Sequence, residues 1–127
     1  MLTATVTGPT GNAVSKSVAA TLTTPQAYNP LVIPEAITGP DFDLTLATAT
    51  KQFRAGSATP TLGFNGALFW GPTLIMNRGD VVRMKVHNAL TATTTVHWHG
   101  FHLPAAMDGG PLQPILPGAT WSPSWTV

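Results

Sequence analysis

Two histidines separated by one residue, in His97-Trp98-His99, are the groups of this chain best placed to do chemistry. Neutral imidazole is a good ligand for copper and zinc. In an extended strand successive side chains alternate faces, so His97 and His99 would share one face while Val96 and Trp98 take the other. Two imidazoles supply only half of a four-ligand site. The alternative for the same residues is a histidine pair packed beside tryptophan without metal. Of the two remaining histidines, His87 shares its strand face with Arg83 and Lys85 and reads as solvent-facing. His102, in a loop three residues past His99, could be a third ligand, a hydrogen-bonding partner behind the ligands or a surface residue.

Other chemistries fit poorly. The chain has no cysteine, which removes a disulfide framework, thiolate zinc sites, a thiol nucleophile and the two-His, one-Cys blue-copper site. A cupin-type site wants Glu three or four residues past the second histidine, where this chain has His102 and Leu103. A three-histidine zinc site needs a histidine on a neighbouring strand, and His87 is on the wrong face for it. No G-x-S-x-G elbow or convincing nucleotide-binding glycine pattern occurs.

The elements that must position the pair are strands. The 127 residues suit one domain with its own core. Only 9% of them are charged, against about 25% in an average globular chain. The net charge of +1 and six scattered Lys and Arg residues argue against nucleic-acid or polybasic membrane binding, which need a concentrated cationic patch. No apolar run approaches the roughly 20 residues of a membrane span. With 12 Gly and 12 Pro, the chain favours short strands and turns over helices. Residues 1–27 lack a sustained period and read as an extended or mobile arm. Around Leu31-Val32-Ile33, Pro30 and Pro34 block helix. Phe42, Leu44 and Leu46 alternate with polar residues, as do Val82, Met84 and Val86 with Arg83, Lys85 and His87. Thr93 to His99 reads as the next strand. Asn65-Gly66 is a tight-turn signal; Gly71-Pro72 and Asn77 to Asp80 are further turns. Trp121 to Val127 alternates again, with Pro123 requiring an edge or a bulge.

A series of motifs in fixed order surrounds the pair: Phe64-Asn-Gly, Gly71-Pro-Thr, Asn77-Arg-Gly-Asp80, Asn88-Ala-Leu-Thr, Thr94-Thr-Val-His97-Trp-His-Gly100, Leu103-Pro, Met107-Asp-Gly-Gly-Pro111 and Gln113-Pro-Ile-Leu-Pro-Gly118. Over roughly residues 30–127 this closely resembles the first cupredoxin domain of laccase-like multicopper oxidases. The resemblance implies an all-β, antiparallel Greek-key cupredoxin-like sandwich or barrel lacking its last strands. Residues 28–127 would be an incomplete plastocyanin-like domain behind the 1–27 arm. It implies copper as cofactor, with His97 on the type 2 copper and His99 on a type 3 copper of a trinuclear cluster. It also implies that Asp108 helps deliver protons during O₂ reduction, and that the protein is periplasmic or secreted, although Met1-Leu2 is followed by polar residues and no signal peptide is evident.

The departures from the family pattern set further expectations. The cluster needs four His-x-His motifs; this chain has one, and the next would lie beyond Val127. Leu112 stands where many relatives have histidine in D-G-G-P-H-Q. One pair of imidazoles cannot hold three coppers, so the chain alone is expected to be inactive. Missing strands would leave open edges, which predicts a homo-oligomer formed through them. Two alternatives remain: a self-assembling structural module with an interfacial metal site or none, and a working subunit completed by another chain.

Overall fold

Phe42, Leu44 and Leu46 must bury one face of their segment, and they do so as the inner side of a strand. In the computed structural model, which describes residues 2–7, 13–18 and 31–127, the strands are β1 (Leu2–Thr7), β2 (Ala13–Val18), β3 (Ala36–Thr38), β4 (Asp41–Lys51), β5 (Thr59–Phe64), β6 (Thr73–Ile75), β7 (Val81–Asn88), β8 (Thr120–Trp121) and β9 (Ser124–Thr126). A single 3-10 turn, Ala105–Met107, is the only helix among the described residues.

Strands β1 and β2 pair antiparallel, Leu2 opposite Val18. They belong to a unit of their own, Met1–Val32. The extended arm expected over 1–27 thus contains a regular ladder; the remainder of it, and Tyr28 and Pro30, lie outside the described residues. Residues 31–35 carry no regular structure.

The second unit, Ile33–Val127, is built on a five-stranded sheet in the order β5-β4-β7-β8, with β9 also paired to β7. Strand β7 shows why: Val82, Met84 and Val86 are buried while Val81, Arg83 and Lys85 are exposed. Burying side chains of this size stabilises by about 1.5–3 kcal/mol each. With Phe42, Leu44, Ile115 and Trp125 they form the core, against which Ile37 of β3 and Leu74 of β6 pack. The all-β expectation holds, but the pairing is mixed. Strands β4 and β7 run parallel, Asp41 opposite Arg83, and so do β3 and β6. The 52–80 connection is long enough for the crossover that parallel neighbours require.

Two turn signals are realised. Asn65 and Gly66 have φ of 52° and 80°, the left-handed pair of a type I′ turn. Asn65 locks it to β4 by accepting from Thr45 N at 2.7 Å and donating to the Asp43 carbonyl at 3.0 Å. Pro123 interrupts the last alternation, splitting it into β8 and β9, while its carbonyl accepts from Met84 N at 2.9 Å. The bulge that proline demanded is therefore still tied to the central strand.

Candidate metal centre

The histidine segment is not a strand. Residues 95–98 belong to no ladder, His99 and Gly100 form a turn, and one antiparallel bridge, Thr94 to Ile115, anchors the start of the segment. This corrects the expected Thr93–His99 strand. The side chains nevertheless alternate as a strand would: Thr94, Val96 and Trp98 are half-buried, and Thr95, His97 and His99 are exposed. Trp98 is the anchor. It packs on the core, its ring centre 5.0 Å from that of Trp125 and 6.4 Å from that of Trp121. Burial of the tryptophan turns both flanking histidines outward, with ring centres 5.7 Å apart.

In place of a neighbouring strand, the loop Asp108-Gly109-Gly110 supports this segment. Trp98 N lies 3.4 Å from the Asp108 carbonyl. Gly109, at φ 72°, lies against the Val96 carbonyl. Gln113 closes the loop: its side-chain Oε1 accepts from Gly110 N at 2.9 Å and its own N–H donates to the Gly110 carbonyl at 3.0 Å. The expected alternation of exposure therefore holds from Thr94 to His99 although no ladder supports it.

The Asp108 carbonyl also fixes the chemistry of His97. His97 Nδ1 is 2.8 Å from that oxygen. A carbonyl can only accept, so Nδ1 is the donor, and in the neutral ring the lone pair lies on Nε2. This tautomer offers Nε2 to a metal. The Asp108 carboxylate is a bystander to that bond: its Oδ1 lies 3.3 Å from the same nitrogen, yet it is enclosed and accepts no hydrogen bond, because the Nδ1 proton is directed at the main-chain oxygen.

Among the described residues, no three His, Cys, Asp or Glu side chains gather closely enough to hold a metal ion. His97 and His99 come together, with Asp108 beside His97; His102 is exposed and does not complete the set. His87 lies on the outer face of β7, its Nδ1 3.1 Å from Thr120 Oγ1. The two imidazoles fit copper as donors, and as half of a ligand set. A groove of about 610 Å³ lies elsewhere, over Asp41, Arg83, Lys85 and Ser124; exposed imidazoles need no cavity to ligate a metal.

Asn88, which the sequence reading names only as the start of a motif, has a structural role here. It is fully buried at the end of β7. Its Nδ2 donates to the carbonyls of Ala92 at 2.9 Å and Ile115 at 2.8 Å, and its Oδ1 accepts from Leu90 N at 3.0 Å. It thus ties the turn leading into the histidine segment to the residue that bridges Thr94. Its phase was the available signal: positions 82, 84, 86 and 88 all point inward, and an amide at an inward position needs partners.

Known proteins resemble this chain in sequence and fold. A family model described as multicopper oxidase matches residues 45–127. The multicopper oxidase of Staphylococcus aureus is 43% identical over 77 residues, 61% of this chain and 17% of that protein. The multicopper oxidase of Staphylococcus epidermidis is 36% identical over 104 residues, 76% of this chain and 23% of its own length. Among solved structures, a laccase-like multi-copper oxidase from Ochrobactrum sp. superposes with a TM-score of 0.72 at 33% identity, covering 77% of this chain and 22% of that one. The chain therefore spans about a fifth of the length of these relatives. With a cupredoxin-like fold of almost nothing but strands, and a family match over most of its length, the chain belongs to the multicopper oxidase family.

Proposed function

We propose that this chain supplies one His-x-His pair to a trinuclear copper site. His97 would bind the type 2 copper through Nε2, and His99 a type 3 copper. The observation that carries this reading is the 2.8 Å contact between His97 Nδ1 and the Asp108 carbonyl: it engages Nδ1 as donor and leaves Nε2 as the ligating nitrogen of the neutral ring, beside a second exposed imidazole. The chemistry that copper would supply is the reduction of O₂ to two waters by four electrons and four protons, the electrons coming from an oxidisable substrate.

The chain's own residues would do three things. Trp98, held in the core, keeps both rings outward. The Asp108 main chain holds the proton on His97 Nδ1. The half-exposed Asp108 carboxylate, whose shielded Oδ1 accepts no hydrogen bond, would take up a proton from solvent and pass it to the reacting oxygen. Two imidazoles cannot hold three coppers, so this chain by itself should not turn over.

Electron paramagnetic resonance of the Cu(II)-loaded chain tests the reading. Hyperfine structure from imidazole nitrogen should be present, and should be lost in the double variant His97→Ala/His99→Ala. An unchanged spectrum in that variant would overturn the ligand assignment. Oxygen uptake with a phenolic substrate should stay at the level of free copper; sustained turnover by the chain alone would overturn the half-site reading.

A further inference from the structure

We propose that Asn65 is a site of spontaneous deamidation, gated by the two hydrogen bonds that hold its side chain on β4, and that the acid so formed no longer holds β5 there.

Of the five asparagines, only Asn65 precedes glycine. Asparagine is a heat-labile residue, and a following glycine, with no Cβ to shield its nitrogen, is the neighbour that helps the reaction most. The Gly66 nitrogen gives up its proton to hydroxide and attacks Cγ of Asn65. A new C–N bond closes a cyclic imide, the Cγ–Nδ2 bond breaks, and ammonia leaves with a proton taken from water. Water then opens the imide at one carbonyl or the other, giving aspartate or isoaspartate. Both residues are exposed, and among the described residues no acceptor occupies Gly66 N. Solvent base therefore reaches the nitrogen that must ionise.

The side chain is held away from that nitrogen. Strand β5 ends at Phe64, opposite Leu46, yet its pairing with β4 goes on. Asn65 N donates to the Thr45 carbonyl at 2.9 Å, and Thr45 N donates to Asn65 Oδ1 at 2.7 Å. The two residues thus exchange hydrogen bonds as an antiparallel pair does, with a side-chain oxygen in the role of the main-chain one. Nδ2 then donates to the Asp43 carbonyl at 3.0 Å. The side-chain amide stands in for a peptide group and continues the ladder after the chain has turned away. The turn itself is closed by Ala67 N donating to the Phe64 carbonyl at 2.9 Å. Ring closure needs Cγ to swing off β4 towards Gly66, so both side-chain bonds must open first.

The product does not fit the same place. A carboxylate only accepts. It can still accept from Thr45 N, but it has no N–H for the Asp43 carbonyl and sets an anionic oxygen against it. Isoaspartate also adds a carbon to the main chain within the turn. The effect extends beyond the surface, because Phe64 packs against the core and its N–H donates to the Trp70 carbonyl. Refolding does not restore the amide, so each event removes one fastening permanently.

The test is incubation of the chain at mildly alkaline pH, folded and in urea. Residue 65 is followed by peptide mass and by enzymatic methylation of isoaspartate. Conversion should be at least about tenfold slower in the folded chain, because only locally opened molecules react. Across low urea concentrations its rate should rise in step with hydrogen exchange of the Thr45 amide, which the same opening exposes. Asn65→Asp, the product made directly, should speed exchange at Ala67 N while leaving the amides of β7 protected. Equal rates in folded and unfolded chain overturn the gate. An Asn65 that stays intact in urea overturns the site. Unchanged exchange at Ala67 N in Asn65→Asp overturns the loss of hold.

Discussion

Gly109 lies so close to the backbone of Val96 that a Cβ on it would sit 1.6 Å from the Val96 carbonyl oxygen. The glycine of the acidic loop is in effect the surface on which the histidine segment rests. Its φ of 72° adds a second reason for glycine, since side chains are strained in that region.

Gly109→Ala should therefore cost about 2–4 kcal/mol, the sum of overpacking and backbone strain. Gly100 offers the contrast, with φ 86° but nothing within 4 Å of its would-be Cβ. Gly100→Ala should cost only about 1 kcal/mol. Urea unfolding of the two variants checks this; equal losses would mean that the contact with Val96 contributes little.

Asn88→Ala removes three hydrogen bonds at a fully buried position and takes the partner from the Ala92 carbonyl and from Leu90 N, while the Ile115 carbonyl keeps its bond from Thr94 N. Unsatisfied buried groups cost about 1–3 kcal/mol each, so a loss of about 3 kcal/mol or more is expected. The same variant should weaken metal binding, although residue 88 touches no metal, because the entry to the histidine segment is released. Thermal unfolding and Cu(II) titration measure the two effects; a loss of stability with unchanged copper affinity would separate the fold from the site.

Asp108→Asn should spare the metal site. The group that orients His97 is the Asp108 main-chain carbonyl, which the substitution keeps. Removing the partner of a ligating histidine commonly costs roughly 10–100-fold in affinity; here a loss below about tenfold is expected, read from competition with a chelator. A larger loss would transfer the orienting role to the carboxylate.

Acid should act through Asp41. The Arg83 guanidinium hydrogen-bonds this carboxylate, Nε to Oδ1 at 2.6 Å and the terminal nitrogen to Oδ2 at 2.8 Å, and holds its pKa below the ordinary 3.8. A carboxylate with a depressed folded pKa adds stability that is fully present above its unfolded pKa and disappears as pH falls through the folded value. Wild type should thus exceed Asp41→Asn in melting temperature at neutral pH, and the gap should close on acidification below the ordinary carboxylate range. Both side chains are exposed, so the gap should be small and should also shrink in high salt. A gap that widens in acid would refute this account.

Much of the fold can be read from the sequence where one face of a segment is buried. The alternation of Phe42, Leu44 and Leu46, and of Val82, Met84 and Val86, reports the core directly. The direction of pairing between β4 and β7 could not be read, because Asp41 and its partner Arg83 are 42 residues apart and alternation says nothing about which segment lies alongside. The outward facing of His97 and His99 was legible from Trp98 between them. The support beneath them was not: the Gly109 contact with Val96 and the bond between the His97 ring and the Asp108 carbonyl join residues eleven or more apart through main-chain groups, which leave no trace in residue type. Asn88 was legible in principle through its inward phase.

The parallel pairing of β4 with β7 has a consequence for how the chain reaches this structure. During synthesis the apolar face of β4 can fold back on β5, its hairpin neighbour, but its other flank stays open until Val86 has left the ribosome. The intervening residues must be closed into a loop before that contact repays its entropy, which places the centre of the sheet among the slow, non-local events of folding. In that interval Phe42, Leu44 and Leu46 present a bare strand face, the kind of surface that chaperones hold and that aggregation exploits.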